Sequence, residues 1–258
     1  MKMKNTAKVV GAVFATLSLS LGHLSEAQDS SDPQRDERTR FRLMVNGGFN
    51  PTTTSFSDLS TFTAFLEQGS SQRNYETSTG AVFEVGGIVS ITRSLGVMAA
   101  VEVFQGESNG SFRYTEPHPL LFNRDRSVEG DVAGLSYTER AIHVDFVLTQ
   151  DLGATILDVF AGPTFFSTET EVIGDITTTS PYPFDDLTFS GTSAVTLSDN
   201  PVGFNAGAAL TLRLSRVVGV AFQARFSRAS VGVQRSGGEL IELDAGGFRA
   251  GAGIRLAF

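Results

Sequence analysis

Three absences frame the chain of 258 residues. It has no cysteine and no tryptophan, and after Lys8 it has no lysine. Without cysteine there is no disulfide scaffold, no zinc ribbon and no thiol nucleophile. With lysine confined to Lys2, Lys4 and Lys8, the body holds no P-loop, Schiff-base or kinase-type lysine. Cations of any kind are scarce: 20 Lys+Arg stand against 28 Asp+Glu, a formal charge of -8. That balance argues against a nucleic-acid partner, which calls for a basic patch.

What is present begins with an address. Lys2, Lys4 and Lys8 precede an apolar run from Val9 to Leu21, and Ser25-Glu26-Ala27 supplies small residues at the two positions a signal peptidase reads. The run is too short to cross a bilayer as a helix. Residues 1–27 therefore read as a secretory signal cleaved before Gln28, and residues 28–38 as a disordered polar tail. Processing would leave 17 arginines and 27 acids, a net charge of -10. No later apolar stretch is long enough for a transmembrane helix.

From Thr39 onward, segments of about ten residues alternate apolar with other residues, the period of a strand with one apolar face. The candidate strands are 39–50, 78–91, 95–105, 137–149, 155–167, 201–214, 217–229 and 246–258. Their connections alternate in length. Residues 92–94, 150–154 and 215–216 are short turns, and 51–77, 106–136, 168–200 and 230–245 are long. An even number of strands with short turns at one end and long loops at the other is the pattern of a transmembrane barrel. In the last candidate strand Phe248, Ala250, Ala252, Ile254, Leu256 and Phe258 share one face, and Arg249 and Arg255 share the other with three glycines. A soluble sandwich turns its apolar face inward and a membrane barrel turns it outward, so alternation by itself leaves both open.

The secretion signal, the small residues of the polar face and the aromatic end favour the barrel. The ending Gly251-Ala-Gly-Ile-Arg-Leu-Ala-Phe258 resembles the last strand of bacterial outer-membrane barrels. Asp158-Val-Phe-Ala-Gly-Pro-Thr-Phe-Phe166 and Gly86-Gly-Ile-Val-Ser-Ile-Thr-Arg-Ser-Leu-Gly96 resemble strand and hairpin segments of the small OmpA-like and OmpW-like barrel group. The resemblance covers residues 39–258 as one barrel domain. It implies an eight-stranded antiparallel up-and-down transmembrane barrel with short periplasmic turns and four long extracellular loops, in the bacterial outer membrane. It also implies partners in outer-membrane lipid and lipopolysaccharide, a monomeric state, and a role for Phe258 in the signal read by the barrel-assembly machinery. The two-domain tethering role, which needs a peptidoglycan-binding domain after the barrel, is not expected. One departure is the girdle. With no Trp and four Tyr, Phe must supply it at Phe41, Phe49, Phe83, Phe146, Phe165, Phe204, Phe226 and Phe258.

The same parity sends charge inward. Glu84, Glu102, Glu139, Asp145 and Asp158 come from the second to fifth strands. Arg213, Arg225, Arg249, Arg255 and Arg42 come from the sixth, seventh, eighth and first. Closing the sheet sets an acidic wall against a basic one across a lumen just wide enough for side chains to fill. Buried charges persist when paired, so a salt-bridged, closed lumen is expected. His143, with Asp145 and Glu139, could suggest a base or a metal site, but lumen pairing is the reading preferred. The His-x-Ser spacing of lipid A deacylases is absent because position 145 is Asp. No catalytic residue, cofactor or metal is therefore assigned.

The loops carry other signals. Residues 168–200 hold Glu169, Glu171, Asp175, Asp185, Asp186 and Asp199 without a cation. That suits an acidic surface, a calcium site or a cationic partner. In residues 51–77, Leu59, Phe62, Phe65 and Leu66 have helical spacing, with Ser57 or Asp58 as cap and Gly69 as stop, which predicts a short amphipathic helix. Arg140 and Arg228, outward near the loop ends, are candidates to meet lipopolysaccharide phosphates. The function expected is structural or surface interaction through the loops, with an unknown loop partner. A narrow channel for small, even apolar, molecules, a lipid-modifying barrel and a soluble periplasmic sandwich or lipocalin-like binder are the alternatives.

Overall fold

The computed structural model describes residues 40–234 and 240–258. The signal, the polar tail and the tip of the 230–245 connection lie outside the described residues. Among the described residues eleven antiparallel strands form: β1 Phe41–Asn50, β2 Thr54–Ala64, β3 Glu67–Thr77, β4 Gly80–Ser90, β5 Leu95–Pro117, β6 Asp125–Asp151, β7 Thr155–Thr179, β8 Thr188–Asp199, β9 Val202–Arg213, β10 Val218–Gln234 and β11 Leu240–Ala257.

Eight of them close into a ring in the order β1-β4-β5-β6-β7-β9-β10-β11, with β11 returning to β1. The last step joins the two ends of the barrel sequence: Leu43 pairs with Leu256, and the Phe41 ring stacks on Phe258 at 6.5 Å. Closure removes the open edges that a flat sheet would expose. Small residues allow it. An added Cβ at Gly253 would lie 2.1 Å from the Val45 carbonyl oxygen, and one at Gly48 would lie 2.3 Å from that of Ala250. The β1–β11 seam therefore needs glycine on both sides.

Three strands lie outside the ring, and they correct the reading of the long connections as loops. Residues 51–77 form the hairpin β2–β3, not an amphipathic helix. Its period is two: Phe56 faces Tyr75 and Ser60 faces Ser71 across the hairpin. Asp58 is not a cap but pairs with Arg73 at 3.1 Å. Gly69 stops no helix. It makes room for the Phe62 ring, whose edge would lie 2.5 Å from an added Cβ. Ser- and Thr-rich sequence suits a pleated ladder better than a helix, and β3 finds a second partner when Ser70–Thr77 pair with Ser108–Thr115 of β5. β8 pairs along β7 from Thr168 to Thr179, so the acidic 168–200 segment is largely strand too.

β5, β6 and β7 run to 23, 27 and 25 residues. A strand needs about 9–11 to cross a membrane, so each continues well beyond the ring. There the β2–β3–β5–β6 sheet faces β7–β8 over an apolar core of Tyr75, Phe112, Leu135, Val172 and Ile173. Tyr75 is locked in place by accepting the Ile173 N–H at 3.0 Å, and Arg73 donates to the Gly174 carbonyl at 3.1 Å.

Candidate functional site: the barrel interior and its distal cap

The ring is inside out relative to a soluble domain. Arg225 is 2 % exposed, Glu102 2 %, Glu139 1 % and His143 0 %, whereas Phe146 is 76 % exposed, Phe49 57 %, Phe204 56 % and Phe222 55 %. The outward residues form a belt, and Phe49, Phe83, Phe165, Phe204, Phe226 and Phe248 stand exposed around its long-loop side. A continuous apolar exterior around a buried charged interior is stable only with hydrocarbon outside.

Inside, the side chains stack in layers. Toward the short-turn end Met44, Ile88, Met98, Ala100, Val147, Phe160 and Ala209 fill the lumen with apolar volume. Beside them Arg42 forks onto Asp158, each guanidinium nitrogen 2.8 Å from a carboxylate oxygen, and Thr149 donates to the same carboxylate at 2.7 Å. Above, Arg225 donates to Glu84 at 2.9 Å, to Asp145 at 3.2 Å and to the Asn205 side-chain oxygen at 2.9 Å, with Phe160 beneath its guanidinium at 4.7 Å. Arg249, its cross-strand neighbour, is held by Glu102 and by Glu139 at 2.5 Å. Two arginines side by side would repel. The acids facing them, with Glu84 and Glu102 likewise paired across strands, cancel that repulsion.

Among the described residues Arg255 reaches no carboxylate directly. It donates to Asn46 at 2.5 Å and Gln223 at 2.8 Å, and Gln223 passes the polarity on by donating to Glu84 at 2.6 Å. Asn205 ties Asp145 (2.6 Å) to Thr164 (2.9 Å), and the ring Nδ1 of His143 meets that same hydroxyl at 2.9 Å while Nε2 faces Glu102 at 3.5 Å. Tyr137 and the Gly246 N–H both donate to Glu139, at 2.9 and 3.1 Å.

Nine of the ten charges assigned inward by parity thus lie on the inner face, and Arg213 does not. It sits on the short-turn rim, where it donates to Asp151 at 2.5 Å and to the Gly153 carbonyl at 2.8 Å. Its hydrogen bond, together with the Gly153 N–H, holds the Asp151 carboxyl below its ordinary range. Asn46, which the same parity places inward beside Arg42, lies in the network, and Gln223, Asn205 and Thr164, neutral residues of inward parity, complete it. Arg140 and Arg228 do face outward near the long-loop end, where each meets an acid: Glu169 at 3.7 Å and Asp244 at 2.9 Å.

The distal cap has its own buried polar group. His118 is buried, and its Nδ1 accepts the N–H groups of Leu120 and Leu121, both at 3.1 Å, which fixes the proton on Nε2. Asp185 lies 3.8 Å from that Nε2 and 2.9 Å from Arg124.

A closed eight-stranded antiparallel ring with an apolar belt, a polar filled interior, short turns at one end and long hairpins at the other is the architecture of a small bacterial outer-membrane β-barrel. No protein-family model and no curated protein matches the chain. Among solved structures it is similar to Neisserial surface protein A, with 9 % identity, 84 % of this chain and 97 % of that one covered, and a TM-score of 0.42. It is also similar to the Escherichia coli outer membrane protease OmpT, with 10 % identity, 89 % and 100 % covered, TM-score 0.45, and to E. coli outer membrane protein W, with 13 % identity, 87 % and 100 % covered, TM-score 0.36. At such scores these likenesses carry no argument of their own. The class rests on the ring, its register and its inverted burial.

Proposed function

We propose that the protein is a closed surface barrel: a wall sealed by its own side chains, whose work is done by the structure raised above the membrane. The observation that carries this is the packing of the lumen. Among the described residues, a cavity between Arg225, Arg249, Glu84 and Glu102 offers about 20 Å³, and Asn46 and Gln223 also line it. That is room for about one water molecule, too little for a hydrated solute. The apolar layer of Met44, Met98 and Phe160 supports the same reading from the periplasmic side. Among the described residues His143 is the one imidazole in the lumen, and it is fully enclosed, so a positioning part in the Asn205–Thr164 network suits it better than a catalytic one.

Conductance tests the reading. Single-channel recordings of the refolded protein in planar bilayers should show a silent membrane or brief small openings. Large, stable, non-selective steps would overturn the closed lumen and favour the narrow-channel alternative.

We further propose that Phe258 serves assembly. It is 64 % exposed beside Phe41, at the end of the strand that closes the ring. Deleting Phe258 should reduce the heat-shiftable, folded band in the outer-membrane fraction several-fold, with the unfolded chain accumulating in the periplasm. Unchanged insertion would remove the assembly role.

A further inference from the structure

Three distal turns converge. The β2–β3 turn is Phe65-Leu66, the β5–β6 loop carries Leu120-Leu121-Phe122, and the β7–β8 loop carries Tyr182 and Phe184. The Asn123 N–H donates to Glu67 at 2.8 Å, joining the first two. Arg124 pairs with Asp185 at 2.9 Å, and Arg126 donates to the Phe184 carbonyl at 3.1 Å and to the Ser180 hydroxyl, joining the second to the third. The buried His118 ring holds Leu120 and Leu121 in place through their N–H groups.

This cross-linked tip is apolar where it meets solvent. Leu66 is 89 % exposed, Tyr182 81 %, Phe122 72 %, Leu120 65 %, Phe65 48 % and Leu121 47 %. Phe65 and Leu66 take φ of 52° and 70°. Such turns favour Asn and Gly, so large apolar side chains here oppose both local backbone preference and solvation. Clustered exposed apolar residues at the point farthest from the membrane mark a contact surface.

The charge around the tip selects the occupant. Segments 51–77, 106–136 and 168–200 hold fourteen acids and four arginines. All four arginines are already paired: Arg73 with Asp58, Arg113 with Glu129, Arg124 with Asp185 and Arg126 with Glu116. The field around the apolar tip is therefore negative, which repels an anionic bilayer or a second copy of the same face and attracts cations. We propose that the tip docks a cationic amphipathic polypeptide. Its apolar side chains would seat on Leu66, Leu121 and Phe122, and its Lys and Arg residues would answer the surrounding carboxylates. This rests on the reading of the protein as a surface barrel that acts through its hairpins, and it names the chemistry of the partner.

The test uses the full mature chain in zwitterionic nanodiscs and a fluorescein-labelled amphipathic peptide of lysine and leucine, read by anisotropy. The comparison arms are the same peptide with glutamate for lysine, and anionic or zwitterionic vesicles added to the protein. The Lys–Leu peptide should bind above empty nanodiscs, and added salt should weaken it. The Leu66→Ser/Leu121→Ser/Phe122→Ser variant should bind about tenfold more weakly, as loss of an apolar anchor predicts. Phe122→Ser alone, with a normal heat shift on gels, guards against misfolding and should give a smaller loss in the same direction. Equal binding by the variants, preference for the glutamate peptide or for vesicles, or no binding above empty nanodiscs would overturn the proposal. Those outcomes leave the conductance result untouched, so a failed partner assignment is distinct from a failed closed barrel.

Discussion

Arg225→Met should lower the stability of the folded barrel by about 3–5 kcal/mol, the cost of leaving buried charge without its partner. The guanidinium is the hub of the lumen: it is held by Glu84, Asp145 and Asn205 and stacked on Phe160. Methionine keeps much of the apolar contact but leaves two enclosed carboxylates without a cation. Arg249, the next guanidinium, is committed to Glu102 and Glu139. Lysine is a poor substitute because a point charge cannot fork to three acceptors on three strands. The diagnostic result is rescue. Adding Glu84→Gln and Asp145→Asn to Arg225→Met removes the stranded charges, and the triple variant should recover most of the loss. Without tryptophan, intrinsic fluorescence is a weak probe, so the urea midpoint is best read from the folded and unfolded bands of unboiled samples. An unchanged midpoint in Arg225→Met, or no recovery in the triple variant, would mean that the network does not hold the lumen together.

The wall was legible because a strand's period is two and a barrel has two different solvents. In β11, Phe248 and Ile254 go out while Arg249 and Arg255 go in, as alternation alone requires, and Phe258 just after it keeps the outward parity. Parity says which face a side chain takes, not how high it stands or whom it meets. Arg213 has inward parity but lies one turn of chain too low, at the rim beside Asp151. Arg42 finds Asp158 across 116 residues, a contact set by ring closure that no local pattern encodes. The distal cap was the least legible part. In β2 and the turn after it the positions of Leu59, Phe62, Phe65 and Leu66 fit a helical stripe, and the decisive information lay elsewhere in the chain, in the β5 segment Ser108–Thr115 that pairs with β3. The same holds for β8, which is strand because β7 extends beside it. The exposure of the apolar residues at the three turns is set by how the hairpins stand together, which no single segment encodes.

Phe222→Arg should cost about 2–4 kcal/mol, the penalty for a cation on the lipid face near the middle of a barrel wall. Phe222 is 55 % exposed and stands midway between Val218, where β10 begins, and Arg228, where its pairing with β9 ends. Its cross-strand neighbours are Leu210 and Ala252, both outward. The next residue, Gln223, points into the lumen and holds Glu84. The two positions differ by one residue and by the solvent each meets. In a soluble sandwich an exposed Phe→Arg change would fall within about 0.5 kcal/mol of neutral, so the magnitude decides between the two architectures that alternation left open. Thr196→Arg is the control: it is exposed on β8 in the distal cap and faces Glu171 across the ladder, so it should move stability by no more than about 0.5 kcal/mol. Urea midpoints in lipid vesicles give both values. A Phe222→Arg protein as stable as its parent would put water, not hydrocarbon, against the apolar belt and would undo the membrane reading.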